Sequence, residues 1–176
     1  MIWLRQIQTT LDWISAFLEG AAGSVTRTWY YTSYNEHTTA VLMLLDASPH
    51  GVGGILVIDG VIVSYFSDRL TRQDAIIHRT KLADSHGQQI WESLCVLIAM
   101  RIWASVWKTR RYTITVGSDN MAALVLAGKL KAKGPRAVIA REIALQYAEG
   151  SFEPRVTEHV PGVANEIADA LSRLTD

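Results

Sequence analysis

The chain has 176 residues, of which 49% are hydrophobic and 19% charged, and its 17 basic and 17 acidic residues give zero net charge. This composition excludes an intrinsically disordered chain and supplies enough apolar side chains for the core of one domain. A single cysteine excludes a disulfide framework, and no apolar run reaches the roughly 18–20 residues of a membrane span. No signal-peptide pattern is present, so we expect an intracellular protein without membrane contacts. Zero net charge argues against a strongly basic nucleic-acid binder but allows a local positive patch.

The beginning of the chain differs in pattern from the rest. Apolar residues recur every three or four positions over 2–19, which predicts an amphipathic helix, and Gly20 favours its end there. An aromatic stretch with strand character follows and contains Trp29, Tyr30, Tyr31 and Tyr34. These aromatic side chains either pack on the main domain or stack on nucleic-acid bases, and both interpretations stay open. We expect residues 1–38 to form an appendage and 39–176 the main domain.

Three apolar runs rich in β-branched residues, 41–45, 51–58 and 61–66, predict three consecutive strands. Asp59-Gly60 separates the last two runs, and this dipeptide predicts a tight antiparallel hairpin. The following stretch, 67–87, is polar and shows no regular period. We therefore expect a long irregular connection there, of the kind that is either functional or mobile.

The second half of the chain alternates helices with strands. Residues 88–107 are apolar on nearly every side, which predicts a helix buried by several neighbours. The remaining predicted elements are a strand at 111–117, helices at 121–127 and 137–148, a strand at 152–160 and a helix at 165–174. The order β-β-β-α-β-α-α-β-α predicts an α/β fold with a five-stranded mixed sheet flanked by helices.

Four acidic residues occupy positions where a charge is costly. Asp46 ends an apolar strand, and Glu92 lies inside the most hydrophobic helix. Asp119 follows the next strand, Asp169 lies in the first turn of the last helix, and we expect no basic partner for any of them within its own element. Strand ends and helix starts lie close together in α/β folds, so these acids could converge. Converging carboxylates repel one another unless a cation binds them, and their hard oxygen atoms select Mg²⁺ or Mn²⁺.

Three of these acids also have a purely structural interpretation. Asp119 could cap the following helix, and Asp169 could stabilise the positive end of its own helix. Asp46 could begin a turn with Ser48 and Pro49. Glu92 has no comparable alternative, because its helix offers no polar face. Convergence explains all four positions together.

The acids lie in motifs that are, in chain order, Leu45-Asp46-Ala47-Ser48 with Gly51-Val52-Gly53-Gly54, Trp91-Glu92-Ser93-Leu94, Ser118-Asp119-Asn120, and His159-Val160-Pro161-Gly162 with Asn165-Glu166-Ile167-Ala168-Asp169-Ala170-Leu171-Ser172-Arg173. This set resembles the ribonuclease H domain of retrotransposon reverse transcriptases of the gypsy-like and tyrosine-recombinase (DIRS-type) groups. The resemblance covers roughly residues 39–176. Its last motif is the most specific, because it is close to the closing signature of that family.

The resemblance implies a ribonuclease H-like fold and cleavage of the RNA strand of RNA/DNA hybrids during retroelement reverse transcription. It implies two Mg²⁺ ions, replaceable by Mn²⁺, at a metal site made by Asp46, Glu92, Asp119 and Asp169. His159, on a Pro-Gly loop, is expected to assist proton transfer or product release. Gln88 and Gln89 match positions that contact the minor groove of the hybrid, and Ser48 and Asn120 are further candidates for nucleic-acid contact.

The resemblance also suggests partners and leaves alternatives. Residues 1–38 are expected to be the tail of a reverse transcriptase thumb or connection region, which implies a polymerase domain of the same polyprotein as partner. Lys129, Lys131, Lys133 and Arg136 either replace part of the basic helix of some cellular relatives or form a solvated loop. One alternative function is a catalytically silent ribonuclease H-like binding module, against which the presence of all four acids argues. A transposase or integrase of the same fold is disfavoured, because its acids run Asp, Asp, Glu.

Overall fold

The computed structural model describes residues 4–21, 26, 28, 39–107, 112–150, 152–161 and 165–174. The predicted aromatic strand at Trp29, Tyr30, Tyr31 and Tyr34 lies outside the described residues. The helices are α1 Leu4–Leu18, α2 Arg72–Ile77, α3 Gln88–Ile102, α4 Met121–Lys129, α5 Arg136–Glu149 and α6 Glu166–Ser172. The strands are β1 Thr39–Ala47, β2 Gly51–Ile58, β3 Val61–Arg69, β4 Tyr112–Ser118 and β5 Phe152–His159.

The strands form one mixed sheet in the order β3-β2-β1-β4-β5. β1, β2 and β3 are antiparallel neighbours, whereas β4 is parallel to β1 and β5 is parallel to β4. The predicted five-stranded mixed sheet is therefore confirmed. Because β1, β4 and β5 run in the same direction, their carboxyl ends lie at one edge of the sheet.

The turn between β2 and β3 has the geometry that the sequence predicts. Asp59 has φ 51° and Gly60 has φ 78°, so both turn residues are left-handed. Two left-handed residues define the tight hairpin turn whose twist matches that of the flanking strands. The predicted hairpin is confirmed.

Helix α3 forms the centre of the core. It packs against β1, β2, α4 and α5, and Trp91, Cys95 and Met100 on it are fully buried. This confirms the predicted helix with apolar side chains on nearly every side. The helix ends at Ile102, however, and 103–107 form turns. Trp103 in these turns is buried against Phe66, with 5.4 Å between the ring centroids and 63° between the ring planes. Because buried apolar side chains continue beyond Ile102, the apolar pattern predicted a helix that is five residues too long.

The connection between β3 and α3 is more ordered than its polar sequence predicts. β3 extends to Arg69, and α2 follows with a capping box in which Thr71 and Asp74 satisfy each other's backbone N–H groups. Leu70 and Ala75 are buried against the core. The prediction of an irregular connection over 67–87 was therefore wrong for its first half, because a six-residue helix is too short to show a period.

Two helices lie against the outer parts of this core. α6 packs on β1, β2 and β3, and it approaches β2 so closely that a Cβ on Gly53 would lie 2.5 Å from the Ser172 backbone nitrogen. The predicted α1 contacts α5 through Trp13, whose Nε1 donates to Glu142 at 3.0 Å, and through Thr10, which accepts from Arg141 at 2.9 Å. Among the described residues, no helix has the length and apolar character needed to cross a membrane.

Candidate metal centre

Three of the four predicted acids meet at the carboxyl edge of the sheet. Asp46 lies near the end of β1, Asp119 directly follows β4, and Glu92 lies in the second turn of α3. One carboxylate oxygen from each lies within 4.8 Å of the other two. Asp46 and Glu92 are buried, whereas Asp119 is exposed. The predicted convergence of these three acids is confirmed, while their binding of metal stays a prediction.

Burial and mutual repulsion destabilise the ionised form of the carboxyl groups in this cluster. Burial, and then the negative charge of Asp46, raises the pKa of Glu92 from 4.5 to about 8. Burial also raises the pKa of Asp46, to which the nearby charges of Asp119 and Asp169 add. A divalent cation would relieve both effects, because it neutralises the carboxylates and replaces their lost hydration. The oxygen-only donor set therefore fits a hard cation such as Mg²⁺.

Neighbouring side chains fix the orientation of the two buried carboxylates. The Ser172 hydroxyl donates to Asp46 Oδ2 at 2.6 Å, and this hydrogen bond opposes the rise in the pKa of Asp46. Gln88 Nε2 donates to Glu92 Oε1 at 3.1 Å and also to the carbonyl oxygen of Ala47. The buried thiol of Cys95 donates to the Asp46 carbonyl at 3.3 Å. Strand β1 and helices α3 and α6 are thus tied together at the acids.

Asp169 differs from the other three acids. Its Oδ1 accepts from Arg173 Nε at 2.8 Å in an i,i+4 ion pair, and 44% of its side chain is exposed. The expectation that no acid has a basic partner in its own element was wrong for Asp169. The four-residue spacing to Arg173 was visible in the sequence and is typical of a helical ion pair.

No protein-family profile and no curated protein matches the chain. Solved structures do match. Ribonuclease H1 from the archaeon Halobacterium salinarum is 17% identical over 77% of this chain and 94% of its own, with a TM-score of 0.55. The N-terminal ribonuclease H domain of a Mycobacterium tuberculosis protein, solved as a fusion, is 14% identical over 76% of this chain and 91% of its own (TM-score 0.56). LC11 ribonuclease H1, solved in complex with an RNA/DNA hybrid, is 13% identical over 76% of this chain and 93% of its own (TM-score 0.57).

The chain has the ribonuclease H-like fold. The expected fold class is confirmed, and the structural matches are ribonuclease H domains. TM-scores of 0.55 to 0.57 support the fold, whereas identities of 13% to 17% do not establish the activity.

Within this ribonuclease H-like fold, the residue that caps α4 is Asn120 and not Asp119. Asn120 Oδ1 accepts from the backbone nitrogens of Ala122 at 2.9 Å and Ala123 at 3.2 Å. The capping interpretation of Asp119 was therefore wrong, and its carboxylate lies at the cluster instead. Because the side-chain oxygen of Asn120 accepts hydrogen bonds from the helix, its side-chain Nδ2 is the group that remains for the predicted nucleic-acid contact.

His159 is the last residue of β5, where it pairs with Ser118 of β4, in agreement with the strand predicted at 152–160. Pro161 of the predicted Pro-Gly loop follows the strand, and Gly162 lies outside the described residues. The side chain of His159 is exposed. Because Ser118 immediately precedes Asp119, the pairing places His159 at the same sheet edge as the acids. Its predicted part in catalysis stays a prediction.

The remaining predicted contact residues differ in exposure. Ser48 is 1% exposed, and its hydroxyl donates to the Ser172 carbonyl at 2.9 Å and accepts from the Gly51 nitrogen at 2.8 Å. The side chain of Ser48 is therefore buried and hydrogen-bonded within the protein, and its nucleic-acid contact stays a prediction. Gln88 is half-buried and directed at Glu92, whereas Gln89 is exposed.

Sequence reasoning missed Ser172 as a residue of the site. It is fully buried, and its hydroxyl contacts Asp46 across a long sequence separation. The only sequence signal was its place in the closing motif, three residues after Asp169. A serine on the buried side of a short helix has no distinctive period, so its partner could be found only in three dimensions.

Proposed function

We propose that the protein is a metal-dependent ribonuclease H that hydrolyses the RNA strand of RNA/DNA hybrids. The observation that carries this proposal is the meeting of Asp46, Glu92 and Asp119 within 4.8 Å at the carboxyl edge of a ribonuclease H-like sheet. The structure of LC11 ribonuclease H1 with a bound hybrid supports the choice of substrate.

Asp46, Glu92 and Asp119 would hold two Mg²⁺ ions, with Mn²⁺ able to replace them, and Asp169 would join as the fourth ligand. Such cations would supply activation of the attacking water and neutralisation of charge on the leaving 3′ oxygen, so that 5′-phosphate and 3′-hydroxyl products would form. Glu92, whose pKa is raised to about 8, must lose its proton to become a ligand. Asp169 must give up its ion pair with Arg173 in order to bind metal. The loss of this pair costs little free energy because both side chains are exposed.

The chain's own residues would perform three further tasks. Ser172 and Gln88 hold the buried carboxylates in one orientation through their hydrogen bonds. His159, exposed at the same sheet edge, would act as a general acid–base group that carries a proton to or from the reacting phosphate. Gln89, exposed in the first turn of α3, would contact 2′-hydroxyl groups in the wide minor groove of the hybrid.

The closing motif around Asp169 supports an origin in a retroelement reverse transcriptase of the gypsy-like or DIRS-type group. On this proposal 39–176 is the ribonuclease H domain, and 1–38 belongs to the region that joins it to a polymerase domain. Lys129, Lys131, Lys133 and Arg136 would contact substrate phosphates without reading base sequence.

The test is incubation of the protein with four labelled substrates: an RNA/DNA hybrid, single-stranded RNA, duplex DNA and duplex RNA. We expect cleavage of the RNA in the hybrid when Mg²⁺ is present and none in its absence. Cleavage of duplex DNA with the hybrid intact would contradict the proposal. Tight binding of the hybrid without cleavage at any Mg²⁺ or Mn²⁺ concentration would favour the catalytically silent module instead.

A further inference from the structure

A buried asparagine lies at the start of the helix that carries Asp169. Asn165 immediately precedes α6, and only 2% of it is exposed. Its Nδ2 donates to the carbonyl oxygen of Leu45 at 3.0 Å, although the two residues are 120 positions apart in the chain. Asn165 therefore joins the start of α6 to β1, immediately before Asp46.

The side chain of Asn165 does not cap the helix that it precedes. An asparagine at this position commonly accepts hydrogen bonds from the first free backbone N–H groups of the helix, as Asn120 does at α4. Asn165 makes no such capping hydrogen bond. Its Oδ1 is buried and has no hydrogen-bond partner in the described part of the chain, which costs folding free energy. Capping therefore does not explain this asparagine, whereas the hydrogen bond from its Nδ2 to Leu45 does.

The carbonyl that accepts this hydrogen bond lies at the end of the β1–β4 ladder. The last pair of that ladder is Leu44 with Gly117, so Leu45 is the first residue of β1 beyond it. On its other side, β1 continues to pair with β2 as far as Ala47. The amide of Asn165 thus supplies a hydrogen bond where β1 and β4 stop pairing, one residue before Asp46.

The backbone of Asn165 forms the first hydrogen bond of α6. Its carbonyl oxygen accepts from the Asp169 nitrogen at 3.0 Å. The other end of α6 is held separately, because the Ser67 hydroxyl of β3 donates to the Leu171 carbonyl at 2.6 Å. Asn165 therefore binds β1 with its side chain and the backbone of Asp169 with its carbonyl group.

Asp169 is the acid whose position depends on the start of α6. The three carboxylates that lie within 4.8 Å of one another belong to Asp46, Glu92 and Asp119. The side chain of Asp169 is 44% exposed, and its charge still acts on Asp46. A shift of the start of α6 away from β1 would move the Asp169 carboxylate relative to this cluster.

We propose that Asn165 is a positioning residue that, through its hydrogen bond to Leu45, holds Asp169 close enough to Asp46 for both carboxylates to bind the same cations. This inference rests on the proposed function, in which Asp169 is the fourth metal ligand, and extends it to a residue that contacts neither metal nor substrate. Replacing a residue that orients a metal ligand typically lowers metal affinity or activity by about 10- to 100-fold.

The test measures the binding of Mn²⁺ to the full chain, from the electron paramagnetic resonance signal of the free ion, together with urea unfolding in EDTA. Asn165→Ala removes the amide, and Asn165→Ser keeps a good helix-capping residue that is too short to reach Leu45. Ser64→Ala is the matched control. It removes the partner of the buried Trp103 Nε1, a hydrogen bond of 3.0 Å beyond the end of α3 that is opposite to Glu92.

We expect all three variants to unfold at a lower urea concentration than the wild type. Both Asn165 variants should bind Mn²⁺ at least about tenfold more weakly, whereas Ser64→Ala should bind it like the wild type. In an Asp169→Asn background, the further change Asn165→Ala should leave the Mn²⁺ affinity unchanged, because the carboxylate that Asn165 positions is no longer there.

A merely structural role of Asn165 would lower the stability and leave the Mn²⁺ affinity of the folded protein unchanged, and this result would overturn the inference. An equal loss of affinity in Ser64→Ala, or a full further loss in the Asp169→Asn background, would overturn it as well. If neither Asn165 variant folds while Ser64→Ala does, Asn165 is a residue of the fold, and the inference is wrong.

Cleavage assays on the same proteins separate this inference from the proposed function. If the wild type cleaves the hybrid and the Asn165 variants bind Mn²⁺ like the wild type, the positioning inference fails and the ribonuclease activity stands. If the Mn²⁺ affinities change as expected and the wild type does not cleave the hybrid, the positioning inference stands and the proposed activity fails. A wild type that binds no Mn²⁺ at millimolar concentration would overturn both.

Discussion

Replacing Glu92 by glutamine should raise the stability of the metal-free protein at alkaline pH. The pKa of Glu92 is raised from 4.5 to about 8 by burial and by the charge of Asp46. The folded state thus holds this proton more tightly than the unfolded state, so stability is lost as the pH rises from 4.5 to 8. At about 1.36 kcal/mol per pKa unit, the full loss is about 5 kcal/mol, of which about 3.5 kcal/mol falls between pH 5 and pH 8. Glutamine has nearly the same shape and its carbonyl can still accept from Gln88.

The assay is urea unfolding in EDTA at pH 5, 6.5 and 8 for the wild type and Glu92→Gln. Titrating groups that do not interact with Glu92 change both proteins equally, so the difference between the two pH profiles reports on Glu92 and its coupling to the neighbouring acids. We expect the wild type to lose about 3.5 kcal/mol more than the variant between pH 5 and pH 8. We also expect Mg²⁺ to stabilise the wild type more than the variant at pH 8. Parallel profiles, or a variant less stable than the wild type at pH 8, would refute the argument that Glu92 is a desolvated carboxyl group.

Four further substitutions probe the site. Asp46→Asn should abolish cleavage while the unfolding free energy stays equal or rises, because it removes one repelling carboxylate; near-normal turnover at saturating Mg²⁺ would contradict this. Ser172→Ala removes the donor to Asp46 and should lower the unfolding free energy by about 1.5–3 kcal/mol, with weaker stabilisation by Mg²⁺ in a thermal melt. Gly53→Ala should cost about 1–3 kcal/mol in urea unfolding, since its Cβ would meet the Ser172 backbone; an unchanged midpoint would show that α6 shifts freely. His159→Ala should lower turnover by about tenfold to a hundredfold at unchanged Mg²⁺ dependence; a shifted Mg²⁺ requirement with normal maximal turnover would assign it to metal support.

The features that could be predicted from the sequence follow from its apolar periodicity, from its turn residues and from the order of its elements. The hairpin at Asp59-Gly60 and the apolar helix around Glu92 follow from local rules that no tertiary contact overrides. The meeting of Asp46 and Asp119 follows from topology, because both end strands that run in parallel and are neighbours in the sheet. Such features are local or are fixed by the order of elements.

Features set by tertiary contacts could not be predicted in the same way. α2 is shorter than two helical turns, and its stability comes from the capping box and from Leu70 and Ala75 packed on the core. The hydrogen bond from Ser172 to Asp46 joins residues 126 positions apart. No periodicity of the sequence encodes such a contact.

On the proposed function, the acid cluster at Asp46, Glu92 and Asp119 hydrolyses the RNA of a hybrid with divalent metal. The most direct measurement compares the wild type and Asp46→Asn, purified identically, on a hybrid with end-labelled RNA, with Mg²⁺ and with EDTA. We predict RNA fragments with 5′-phosphate and 3′-hydroxyl ends from the wild type with Mg²⁺ alone. Equal cleavage by Asp46→Asn, or cleavage by the wild type in EDTA, would contradict metal-dependent hydrolysis at this acid cluster.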